Sequence, residues 1–120
     1  MTTTNPTLLR GEVWRIRFDP AEGDEIKKVR TAVVVSENAV GRLRLKIVVP
    51  ITEWKPRYAN YPWFVHLMPT PTNGLTKDSG ADAFQVKSVS DTRFLSRLGE
   101  LTPSQLDDIA TAIAICVGAP

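Results

Sequence analysis

The sequence predicts a mainly β fold: a small, strongly curved barrel of five or more short strands, closed by one C-terminal helix. Three observations carry this expectation. Apolar and polar positions alternate at period two in several short segments. Nine prolines and seven glycines divide the chain into pieces mostly too short for helices. One helical stripe, with start and stop signals at its two ends, stands at the C-terminus. At 120 residues the chain suits a single domain with its own core. That domain is read as residues 10–120, preceded by a short tail at residues 1–9.

Glu12 to Phe18 alternates, with Trp14, Ile16 and Phe18 on one face and Val13, Arg15 and Arg17 on the other. Asp19 to Lys28 reads as a polar loop, long for a hairpin connection and suited to a functional role. Thr31 to Ser36 is an apolar, β-branched run, the mark of a central strand covered on both faces. Glu37 to Gly41 reads as a turn. Leu43 to Val49 alternates again, with Leu43, Leu45, Ile47 and Val49 expected inward and Arg44 and Lys46 outward. Pro50 is expected to end the pairing there.

Residues 54–62, WKPRYANYP, form an irregular aromatic and basic loop. Trp63 to Met68 reads as a strand and Pro69 to Gly80 as a loop. Phe84 to Val89 and Phe94 to Leu101 read as shorter extended pieces. The segment Thr102-Pro103-Ser104-Gln105 is a capping box with proline at the first helical position. Asp107 and Asp108 are expected in the first turn, where the helix dipole favours anions. Leu106, Ile109, Ile113, Cys116 and Val117 make an apolar stripe that Gly118 ends.

The apolar and charged fractions, 42% and 23%, are those of an ordinary globular protein. No apolar run approaches the ~20 residues that span a bilayer. The opening MTTTNPTLL lacks the charged and apolar regions of a signal peptide. The single cysteine, Cys116, cannot pair within the chain, which fits a reducing cytoplasm. Net charge is +2, but it is unevenly spread. Arg10 to Arg57 holds 11 Lys/Arg against 7 Asp/Glu, a balance of +4, and the remainder holds 4 against 6, a balance of −2. A basic front half suits contact with an anionic polymer.

No phosphate-binding glycine loop and no nucleophile elbow appear. His66 and Cys116 stand 50 positions apart, so neither a metal site nor a cofactor site is read here. His66 reads as a structural strand residue and Cys116 as a core thiol. What remains is arginine, lysine, carboxylate and hydroxyl chemistry. Such a set binds phosphate, and it can promote attack by an RNA 2′-OH on its own phosphodiester. There the substrate supplies the nucleophile, while the protein aligns the backbone, neutralises developing charge and manages two protons.

Four segments in order resemble the MazF/PemK toxins of bacterial toxin–antitoxin systems: RGEVWRIRFDPAEGDE, VRTAVVVS, VVPIT and AFQVKSV. The likeness runs from about Arg10 to Gly118. It implies an SH3-like barrel of about five to seven strands with a C-terminal helix. It further implies a cytoplasmic homodimer that cuts single-stranded RNA at short sequences without a metal, leaving 2′,3′-cyclic phosphate or 3′-phosphate and 5′-OH ends. The implied partners are mRNA and a cognate antitoxin protein that inhibits the enzyme.

Under this resemblance the catalytic arginine falls on Arg30, the strand-end threonine on Thr52, and the loop acid on Glu25. A guanidinium is a forked donor that matches phosphate and stays charged, so charge stabilisation is the role expected of Arg30. Lys27, Lys28 and Lys87 are candidate phosphate contacts. Trp54, Lys55, Arg57 and Tyr58 interleave rings and cations, a pattern suited to stacking bases over a charged backbone. Trp54 and Tyr58 equally suit bracing of the barrel. Two positions depart from the family pattern. Thr31 stands where the family usually has proline, and Phe84 where some members carry an acid. The general base therefore stays open among Glu25, another group and water. Two alternatives accompany this reading: a CcdB-like inhibitor that acts on DNA gyrase by protein contact, and a relative that binds RNA or antitoxin without cutting.

Overall fold

The structure, a computed structural model, describes residues 7–18, 28–38 and 44–120. Seven strands form one sheet: β1 Glu12–Phe18, β2 Lys28–Val34, β3 Leu45–Glu53, β4 Phe64–Leu67, β5 Ser79–Asp82, β6 Lys87–Ser90 and β7 Phe94–Glu100. One helix follows, α1 Pro103–Val117. The strand order is β4-β5-β3-β2-β1-β7, all pairs antiparallel, with β6 also paired to β3. The sheet is not closed, so the expected barrel is an open, curved sheet. Its curvature comes from β3, which pairs with β6 through Leu45–Val48 and with β5 through Ile51–Glu53. A three-residue turn, Asp91–Arg93, then carries the chain from β6 to β7 on the far side of β1.

Period-two alternation distributes side chains to two cores. Trp14, Ile16, Phe18, Ala32, Val34, Val48, Val89, Phe94 and Leu8 fill the inside of the curl. Val13, Val33, Val49, Ile51, Leu67 and Ala81 face the other way, where Leu101, Leu106 and Ile109 cover them. β2 therefore lies between two apolar layers, as its continuous apolar run predicts. Its start is Lys28, three residues before the expected Thr31.

Several expectations are corrected. Pro50 does not end β3. It pairs with Ala32 inside the strand, in the gap between the stretch paired to β6 and the stretch paired to β5. No ladder bond on that edge needs its missing N–H. Leu45 and Ile47 are 46% and 41% exposed, and Lys46 is the half-buried one. Leu45 and Ile47 share a face with Val49 and Ile51, yet α1 packs chiefly against β4 and the Ala83–Gln85 turn and leaves that end uncovered. Phe84–Val89 is not one extended piece: Ala83–Gln85 turns as a 3-10 helix before β6 begins. Ser79–Asp82, whose first two residues fall in the expected Pro69–Gly80 loop, is a buried strand.

The helix keeps its predicted start. Thr102 Oγ1 accepts from Gln105 N at 3.1 Å, and Gln105 Oε1 accepts from Thr102 N at 2.9 Å. Gly118 ends the helix in the left-handed region at φ 68. Asp107 and Asp108 lie beyond the first turn, and the buried stripe is Leu106, Ile109 and Ala112. Val117, expected on that stripe, is 69% exposed because the helix has run past the sheet. Cys116 is half-buried rather than core, and burial together with the Asp82 carboxylate pushes its thiol pKa up.

Glu12 anchors the start of β1, where that strand pairs with β7. It is 8% exposed, and its Oε1 accepts from Leu9 N at 3.0 Å and from Trp14 Nε1 at 3.1 Å, while Oε2 accepts from Arg97 Nε at 3.0 Å. Burial alone would raise its carboxyl pKa, but these three hydrogen bonds and the Arg97 charge outweigh it and hold the pKa below the usual carboxylate value. A depressed folded-state pKa stabilises the protein above the unfolded-state value and is lost as pH falls through the folded-state value. Glu12→Gln is therefore expected to lower the melting temperature near neutral pH, and the gap from wild type should narrow below pH 4.5. Thermal melts from about pH 3 to about pH 7 check this.

Candidate functional site

The register of four strands brings the site together. Thr31 pairs with Ile51, and one further residue along the same register sets Arg30 opposite Thr52. Thr52 pairs with Gly80, and Gly80 pairs with His66. Arg30 also pairs with Ile16 on β1. Directly paired residues share a face, so Arg30, Thr52, Gly80 and His66 form one transverse row across β2, β3, β5 and β4. It is the same face that carries Ala32 and Val34 into the inner core.

Along each strand this face runs from core to solvent. On β2, Val34 and Ala32 are fully buried and Arg30 is exposed. On β3, Val48 is fully buried while Pro50 and Thr52 are half-buried. The charged fork of Arg30 thus leaves a rigid, doubly covered strand as that strand emerges from the core. Among the described residues no carboxylate pairs with it. An exposed guanidinium and a strand-end hydroxyl on one face are two kinds of donor suited to phosphate.

The remaining candidates fall in different places. Glu25 and Lys27 lie outside the described residues. Lys28 opens β2 opposite Phe18. Lys87 begins β6, paired with Val48, and its Nζ stands 5.0 Å from the centre of the Phe18 ring. Arg57 is exposed on the 3-10 turn Pro56–Asn60, its guanidinium 5.2 Å from the Tyr58 ring centre. Trp54 is half-buried among other rings rather than free at the surface: Tyr58 and Phe64 meet it edge-on at 5.7 Å and 6.5 Å, and His66 stacks on it. Lys55 and Lys77 both reach Glu53, at 3.9 Å and 2.8 Å, and those cations, Lys77 above all, bring the Glu53 carboxyl pKa down.

Phe84, where an acid would serve as base, is 67% exposed. Asp82 stands two residues before it, but its oxygens accept from Phe84 N at 3.2 Å and Gln85 Nε2 at 2.9 Å and so hold the turn. Sequence reasoning overlooked Gly80 and set His66 aside. Neither carries a local motif; only the pairing of β4 with β5 places them beside Thr52. Among the described residues no three His, Cys, Asp or Glu side chains gather as a metal site would, and no described helix is long and apolar enough to cross a membrane.

The sequence pattern of the PemK-like, MazF-like toxins of type II toxin–antitoxin systems matches residues 9–117. Endoribonuclease MazF9 of Mycobacterium tuberculosis H37Rv is 33% identical over 114 residues, spanning 90% of this chain and 94% of that protein. The fold resembles an endoribonuclease from a mycobacterial species solved with its cognate antitoxin, at TM-score 0.74 and 26% identity over 95% of this chain and 98% of that one. It also resembles a MazE–MazF complex from Deinococcus radiodurans, at TM-score 0.73 and 24% identity over 98% and 100%, a likeness of fold.

An exposed side chain with no described ion-pair partner contributes little to folding. Arg30→Ala is accordingly expected to change stability by no more than ~0.5 kcal/mol in urea denaturation. That outcome makes any loss of activity in the variant attributable to chemistry.

Proposed function

The chain belongs to the PemK-like, MazF-like toxins of type II toxin–antitoxin systems, and from that premise we propose how this chain acts as an endoribonuclease. The single observation that carries the residue assignment is the cross-strand placement of Arg30 opposite Thr52 on an exposed face. A scissile phosphate bound there meets the guanidinium on its non-bridging oxygens and the Thr52 hydroxyl beside it. The 2′-OH of the preceding ribose attacks phosphorus, forming the P–O2′ bond as the P–O5′ bond breaks. The products are a 2′,3′-cyclic phosphate, which can open to a 3′-phosphate, and a 5′-OH.

Charge grows on the phosphoryl oxygens as phosphorus becomes five-coordinate. Arg30 therefore binds the transition state more tightly than the ground state, which is what accelerates the step. The strand fixes the fork before substrate arrives, so little reorganisation accompanies the reaction. The proton leaving the 2′-OH goes to Glu25 or to water, and the departing 5′-oxygen takes one up. Because the attacking oxygen belongs to the RNA, the step needs no metal-activated water. Lys27, Lys28, Arg57 and Lys87 contribute cations along the backbone, and affinity should fall steeply with salt.

The same reading makes the protein a cytoplasmic homodimer neutralised by its cognate antitoxin. Leu45 and Ile47, large apolar side chains left at the surface of β3, support an apolar contact with another chain. The decisive measurement is cleavage of a long mixed-sequence RNA in EDTA, with sequencing of the 5′-OH ends. Wild type is expected to cut at one short motif, and Arg30→Ala to lose about 100-fold or more of the rate. Undiminished cutting by Arg30→Ala would remove Arg30 from the active site.

A further inference from the structure

Six of the chain's nine Phe, Trp and Tyr residues lie between Trp54 and Phe84, and the described core uses few of them. Several ring contacts of this region converge on the far end of the Arg30–Thr52 row. His66 stacks on Trp54 with centroids 4.1 Å apart and planes 10° from parallel. Tyr58 and Phe64 stack on each other at 3.9 Å and both meet Trp54 edge-on. Trp54 crosses β5 at Gly80, where an added Cβ would come 3.0 Å from the indole and 3.1 Å from Phe64. The absent side chain at Gly80 is what lets the indole lie there.

Trp54 is thereby committed on one face and its edges, and its work is to brace. The ring it presents is His66, whose side chain is 40% exposed. The imidazole is held a second time, with Nε2 3.5 Å from Asp78 Oδ2. It is a flat ring, fixed before any ligand arrives, on the same face as Arg30 and three strand spacings away, about 14 Å.

We propose that the exposed imidazole of His66, backed by Trp54 and held by Asp78, is the stacking platform for one nucleobase of the RNA whose phosphate lies at Arg30 and Thr52. The inference rests on the reading of that row as the cleavage site and adds a subsite to it. About 14 Å is the reach of a few nucleotides along an extended strand. Local charge decides which part of the nucleotide is taken. Asp78 stands beside the ring and Glu53 at the end of β3 occupies Lys55 and Lys77, so the site offers a phosphate little and a base a π face. Pre-held rings stack bases at small entropic cost, and such a contact favours one position of the strand without requiring hydrogen-bond readout.

The test uses a 2′-O-methyl oligonucleotide, which lacks the attacking hydroxyl, carrying 2-aminopurine at successive positions. Wild type should quench the probe at one position to one side of the cut site. His66→Ala should abolish that quenching and weaken binding roughly tenfold, whereas His66→Phe, which keeps a flat ring, should restore both. Unchanged quenching and affinity in His66→Ala would overturn the proposal. So would loss of both in His66→Ala without recovery in His66→Phe, since a flat ring would then not be what the base needs. The reading of the cleavage site fails separately: His66-dependent quenching in a protein whose cutting survives Arg30→Ala keeps the platform and removes Arg30.

Discussion

The antiparallel register between β2 and β3 is the constraint on which the site depends. Ala32 with Pro50, Val33 with Val49 and Val34 with Val48 lock the two strands together. Five of these side chains are fully buried, and they alternate between two cores. Side-chain period in a strand is two, so a slip of one residue would turn every core valine to the wrong layer. Register is therefore held by apolar burial on both faces. Arg30 and Thr52 inherit their juxtaposition from those valines and contribute little to it themselves.

The same division of labour lets the backbone that carries Arg30 be held firmly while its charged fork is exposed. The strand behind Arg30 is covered by the inner cluster on one face and by the helix-side cluster on the other. Rigidity comes from the buried residues of the strand, and the exposed guanidinium stands where the cover stops. At the other margin of the sheet, Glu12 ties β1 to β7 through Arg97 and to the chain before it through Leu9 N. That buried carboxylate fixes the edge from which the row is measured.

Local signals were legible wherever a segment's own chemistry decides its structure. The alternation of Glu12–Phe18 matched β1, and the Thr102–Gln105 box matched the helix start, because both are settled by neighbours in sequence. The misreadings share one cause. Pro50 is harmless because two different strands meet β3 on either side of it, and Leu45 and Ile47 are exposed because α1 does not reach them. Ser79–Asp82 looks like loop because its small residues carry no apolar pattern, yet all four are buried between β3 and β4. Each depends on which element lies alongside.

For the candidate site, the sequence by itself supplied the residue types and the family: an arginine opening an apolar β-branched run, a threonine closing the next strand, and an order of segments shared with the PemK-like and MazF-like toxins. It also determined that the terminal segment is a capped helix. Tertiary structure decided the rest. It set Arg30 beside Thr52 across 21 intervening positions, put Gly80 and His66 in the same row, and turned Trp54 from an open ring into a brace for His66. Pairing between strands distant in sequence is selected by the burial of whole faces, and no short window of residues contains that information.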